Sequence, residues 1–95
     1  MENFVSNSDA LIEELIGQVE RSMNLLDDNI GKEYKEALQS VPTLVKRESP
    51  VIDFLRTEGF HSLHAANRIA LYWKRRREFF GEDRWLRPMD QVNNV

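Results

Sequence analysis

Between Ser6 and Leu26, apolar side chains return every three or four residues, at Leu11, Ile12, Leu15, Ile16, Val19, Met23 and Leu26. This is the spacing of one helix face and predicts a first helix over 6–26. Ser6 followed by Asp9 has the form of a capping box with the shorter acid, and Ser8 is an alternative cap. Gly17 weakens the helix interior by about 1 kcal/mol relative to alanine, a cost usually accepted where another helix packs close. The period lapses through Asp27-Asp28-Asn29-Ile30-Gly31 and resumes with Tyr34, Ala37, Leu38 and Val41, so a second helix is expected over 29–40. Pro42 is expected to end it, because proline lacks the backbone donor and biases its predecessor away from helix.

Ser49-Pro50 reads as a helix start, with serine as cap and proline in the first turn, ahead of the apolar residues Val51, Ile52, Phe54 and Leu55. Gly59 suits a left-handed C-terminal cap, with Phe60 as the apolar contact that accompanies one. A third helix over 50–57 and a fourth over 62–80 follow. The inner stripe of the last should hold Leu63, Ala66, Ile69 or Ala70, Trp73 and Phe80, flanked by Leu71, Tyr72 and Phe79. Beyond Gly81 there is no period, and Trp85, Leu86 and Met89 look like anchors of an extended tail over 81–95. The expectation is a single all-α domain spanning 1–95, a small bundle of about four helices with a core built on Leu15, Val19, Leu38, Phe54, Leu55, Ala66, Ile69 and Trp73.

Ninety-five residues, 41% hydrophobic and 31% charged, suffice for one small core and leave little interior for a ligand cavity. Cysteine is absent, which removes disulfides and thiolate metal sites. No apolar run is long enough to span a bilayer and no signal peptide is recognisable, so a cytoplasmic address is expected. The net charge of -3 is unevenly divided: residues 1–44 carry nine acids against three bases, and residues 45–95 seven against ten. Such polarity favours docking of an acidic face on a basic one.

Candidate chemistry is sparse. Asp27, Asp28 and Asn29 have the wrong spacing for a calcium loop, with glycine fifth and leucine twelfth, and read as an interhelical turn. His61 and His64 lack a third ligand on a rigid element. Neither an activated nucleophile nor a phosphate loop is present, so no catalytic residue, metal or cofactor is expected. Lys74, Arg75, Arg76 and Arg77 form the one dense charge run, beside Tyr72-Trp73. A solvated helix end with interhelical ion pairs is the favoured reading, because consecutive helical residues point around a full turn; contact with an anionic membrane surface comes second and nucleic acid last.

In Phe54-Leu55-Arg56, Gly59-Phe60, Ala65-Ala66 and Tyr72-Trp73-Lys74-Arg75-Arg76, the chain resembles the helical N-terminal region of CRAL-TRIO lipid-binding proteins over about residues 29–91. The segment from Phe80 to Met89 looks like the version found in diatom and related algal proteins. Thr57-Glu58-Gly59 stands where the family is commonly more basic, and His61 where it usually has an aspartate cap, a role Ser62 is expected to assume. The resemblance implies a supporting or docking segment whose partner is the α/β lipid-binding lobe; that lobe, with its lipid cavity, is not present in this chain. Alternatives from the residues themselves are a free-standing helical adaptor that binds another protein through Trp85 or the basic helix end, and an anionic-surface or nucleic-acid binder using Lys74–Arg77.

Overall fold

A computed structural model describes residues 2–88, with side chains from Asp9 onward. Five helices follow in order, α1 (Glu2–Leu25), α2 (Asp28–Ser40), α3 (Pro42–Glu48), α4 (Val51–Thr57) and α5 (Ser62–Phe80), with no strand among the described residues. The all-α fold is the one expected from the periodicity. Helix α1 begins at Glu2, ahead of the expected start at Ser6; the side chains of Ser6 and Ser8 lie outside the described residues.

Helix α5 is the centre of the bundle, packed against α1, α2 and α4. Its buried face is Ala65, Ala66, Ile69, Ala70, Trp73 and Arg76. The three alanines are fully buried, and their small side chains let neighbouring helices approach. Val19 and Met23 of α1, Tyr34 and Ala37 of α2, Leu44 and Val45 of α3, and Leu55 of α4 complete the core with Trp85. Leu15, Leu38 and Phe54, expected inside, are only partly buried at its margin. Leu63 is displaced further from its expected place: it sits in the first turn of α5 and is half-exposed.

Proline 42 starts a helix instead of only ending one. At the first helical position its missing donor costs nothing, and Val41 serves both as the C-cap of α2 and the N-cap of α3. Ser49 is likewise not the N-cap of α4, which follows Pro50 without a side-chain cap. Ser49 closes α3 instead: its buried hydroxyl donates to the Val45 carbonyl at 2.7 Å and accepts from Trp73 Nε1 at 2.9 Å. Proline thus bends the path twice, and the two-turn α3 between the bends carries the serine to the core tryptophan.

Asp27 caps α2 through its side chain, which accepts from the Asn29 amide at 3.0 Å, so the aspartates open a helix and Gly31 is buried within it. The α4 terminus is a Schellman turn: the Phe60 amide donates to the Leu55 carbonyl and the Gly59 amide to that of Arg56. Gly59 has φ +62° and Phe60 φ +64°, so only the first takes the left-handed step without steric cost. The N-cap of α5 is His61, whose Nδ1 accepts from the His64 amide, and not Ser62.

Among the described residues, no other helix comes within 4 Å of the Cβ position at Gly17. An added Cβ would meet only the flexible end of Arg21, at 3.3 Å. Gly17→Ala should therefore raise stability by about 0.5–1 kcal/mol, measured by urea denaturation; a loss of stability would show that α1 packs more tightly there than this arrangement has it.

Candidate functional site

The C-terminal half of α5 holds the four consecutive cations, and the helix spreads them over four different environments. Lys74 reaches back to α2, donating from Nζ to the Asn29 carbonyl at 2.9 Å. Arg75 is exposed and makes no ion pair or hydrogen bond among the described residues. Arg76 is only 3% exposed. Arg77 lies over the Trp85 ring, its guanidinium 5.1 Å from the ring centroid.

Arg76 sits on the inner stripe because it follows Trp73 by three positions, close to one helical turn. Its Nε donates to the Trp85 carbonyl at 2.7 Å; Nη1 donates to Glu48 at 2.8 Å and to the Tyr72 hydroxyl at 3.1 Å; Nη2 donates to the Arg87 carbonyl. The guanidinium also stacks on Trp73, 4.7 Å from the ring centroid. One side chain thereby ties α3, α5 and the segment after α5 together, using the planar five-donor fork that lysine lacks. Arg77 pairs with Glu82 and, at 3.7–3.9 Å, with Glu36 and Glu33 of α2. Its hydrogen bond to Glu82 is the main cause of a pKa raised above the usual arginine value, so its charge is permanent.

Of the tail expected over 81–95, the described part, residues 81–88, is folded into turns rather than extended. Gly81, at φ +82°, turns the chain; the Arg84 and Trp85 amides donate to the Gly81 carbonyl and the Arg87 amide to that of Arg84. Trp85 is buried edge-on to Trp73 at 6.4 Å, and Leu86 packs beside it. Met89 lies outside the described residues. The run Lys74, Arg75, Arg76, Arg77 with Trp85 therefore does not form an exposed docking patch: Arg76 and Trp85 are interior, Arg77 is held by carboxylates, and Arg75 remains.

Most residues of the family-like motifs have internal duties; Arg56 and Arg75 do not. Leu55, Ala65, Ala66 and Trp73 are fully buried; Gly59 and Phe60 make the turn; Phe54 meets Tyr72 edge-on at 6.1 Å. Arg56 is exposed in the last turn of α4. His61 and His64 stack at 3.8 Å, one of them engaged as a cap, and among the described residues no group of three or more His, Asp or Glu could hold a metal ion. Burial, with a smaller contribution from the charge of Glu20, pushes the Tyr34 hydroxyl above its ordinary pKa and keeps it protonated.

Sequence reasoning overlooked two participants. Glu48 carries no periodic or motif signal, yet its carboxylate is the largely buried partner of Arg76. Arg76 itself was legible, since a 3.6-residue period running through Ala66, Ile69 and Trp73 next reaches position 76 before Phe80. Among the described residues no helix is long and apolar enough to cross a membrane. Compared with known proteins, the chain matches no family model, no curated protein and no solved structure.

Proposed function

We propose that this chain is a non-catalytic helical module whose work is docking, in the manner of the supporting N-terminal helices of a CRAL-TRIO lipid-binding protein. The observation that carries this reading is how the interior is used. Trp73, Trp85, Met23, Leu55 and Ile69 fill the centre of the bundle, and the larger grooves, of about 490 and 550 Å³, are open surface depressions. A lipid carrier instead needs a concavity that buries most of its ligand. The motif residues support the same reading, because most of them, among them Leu55, Gly59, Ala65, Ala66, Trp73 and Arg76, help to hold a rigid unit and none converges on a reacting centre.

The anionic-surface and nucleic-acid alternatives are not favoured by the placement of Arg76 and Arg77. A general protein adaptor remains compatible with the exposed Phe79, which is 83% exposed beside the free Arg75. The favoured partner is an α/β lipid-binding lobe of the CRAL-TRIO type.

Two measurements test the proposal. Incubated with mixed lipid vesicles and re-isolated, the chain should carry no stoichiometric lipid by mass spectrometry. Mixed with a CRAL-TRIO-type lobe stripped of its own N-terminal helices, it should bind and raise the lobe's thermal midpoint. A one-to-one lipid complex, or a lobe that neither binds nor is stabilised, would overturn the reading.

A further inference from the structure

Helix α1 precedes the residues that carry the family resemblance, and beside its core face it shows a second face that the bundle covers only in part, at Leu15 and Gln18. Leu11, Leu15, Gln18, Ser22 and Leu25 follow one another at steps of four and three, the spacing of a stripe that seeks another helix. Leu11 is 60% exposed and Leu25 85%. The stripe borders an open groove completed by Phe60 and Leu63, two more half-exposed apolar side chains. Along this edge Ser62 donates to Gln18 at 2.9 Å, which fixes the start of α5 against α1.

The charges beside the stripe indicate what covers it. Arg21 is the only basic residue of α1, and it lies on the same edge as Glu14, 3.5 Å away, both side chains about two-thirds exposed. Glu20, next to Arg21 in sequence, belongs to the other side of the helix, beside Tyr34. Acid therefore precedes base along this edge. A second α1 laid antiparallel, with a two-fold axis near Gln18, sets each Glu14 against the partner's Arg21 and each Leu11 against the partner's Leu25. A parallel pairing would oppose like charges. An exposed intramolecular pair contributes little, so exchanging it for two intermolecular pairs costs little.

We infer that this face is a self-complementary interface and that the chain associates through it as an antiparallel two-fold homodimer. The contact is isologous and closed, as expected of symmetric dimers. The stripe itself lies on α1, ahead of the motif residues, and only Phe60 of the motifs borders its groove, so the inference does not depend on the lobe-docking role.

Sedimentation equilibrium of the 95-residue chain from about 1 µM to 1 mM tests it. The mass should rise from 11.2 kDa to twice that value. Leu25→Glu, at an exposed position, should leave helical dichroism unchanged and raise the dimer dissociation constant at least about tenfold. Glu14→Arg alone should weaken association about tenfold by opposing two arginines, and Glu14→Arg combined with Arg21→Glu should restore it to within about threefold. A chain monomeric throughout would assign the stripe to a helix of a different protein and overturn the inference. So would a dimer indifferent to Leu25→Glu, or one that the double exchange fails to restore.

Discussion

Trp73→Ala should remove about 3–5 kcal/mol of folding stability, the cost typical of emptying a large aromatic site in a packed core. For a domain of this size that is most of what it has. Trp73 is the largest fully buried side chain together with Trp85, and like Arg76 it touches the end of α3 and the segment after α5. Its ring meets Tyr72 edge-on at 5.4 Å and Trp85 at 6.4 Å, and it carries the Arg76 guanidinium on its face. Its indole N–H is matched by a buried hydroxyl, that of Ser49. Trp73→Phe separates the two contributions. It keeps most of the apolar volume and loses only the hydrogen bond, so it should cost about 1–3 kcal/mol, since Ser49 still donates to the Val45 carbonyl. Urea unfolding followed by circular dichroism checks both; a Trp73→Ala variant within about 1 kcal/mol of the parent would show that the core is organised around something else.

The fold was legible where the chain repeats itself. Three- and four-residue steps place α1, α2 and α5, and Gly59 marks the end of α4, because an apolar stripe and a left-handed residue are local properties. What was not legible depends on tertiary partners. Pro42 is compatible with ending one helix or beginning another, and only the burial of Leu44 and Val45 selects the second. Ser49 has the sequence of an N-cap, yet a buried indole donor outcompetes the amides of α4 for its oxygen. Leu11 and Leu63 obey the helical period but are 60% and 50% exposed, because period alone cannot say whether another element covers a position. The tail lacks periodicity since its order comes from Arg76, and a single long-range side chain leaves no repeating signal.

That arginine also explains why the basic run is misleading when read as a unit. Consecutive residues on a helix are about 100° apart, so four adjacent cations are bound to meet different surroundings. The surroundings decide their worth: an exposed charge is solvated and replaceable, whereas a buried one has lost its water and depends on each protein partner.

The same reasoning makes Arg75 and Arg76 opposite in effect. Arg75→Gln should change stability by no more than about 0.5 kcal/mol, being a surface substitution away from any contact. Arg76→Gln should cost about 3–5 kcal/mol, because it strips the Glu48 carboxylate of a buried partner and leaves the Trp85 and Arg87 carbonyls without their donors. The loss should be concentrated after Gly81: once untied, Trp85 gains access to water, and the amides of Arg84, Trp85 and Arg87 should exchange with solvent faster while the α1–α5 core stays protected. Removing the largely buried carboxylate together with the arginine, in Arg76→Met with Glu48→Leu, should recover part of the stability without recovering that protection, since neither new side chain can hold the two carbonyls. Thermal midpoints of the four proteins, read beside hydrogen exchange at residues 82–88, distinguish a clamp from ordinary packing. If Arg76→Gln leaves the exchange of this segment unchanged, the tail is held by Trp85 alone and the arginine only fills space.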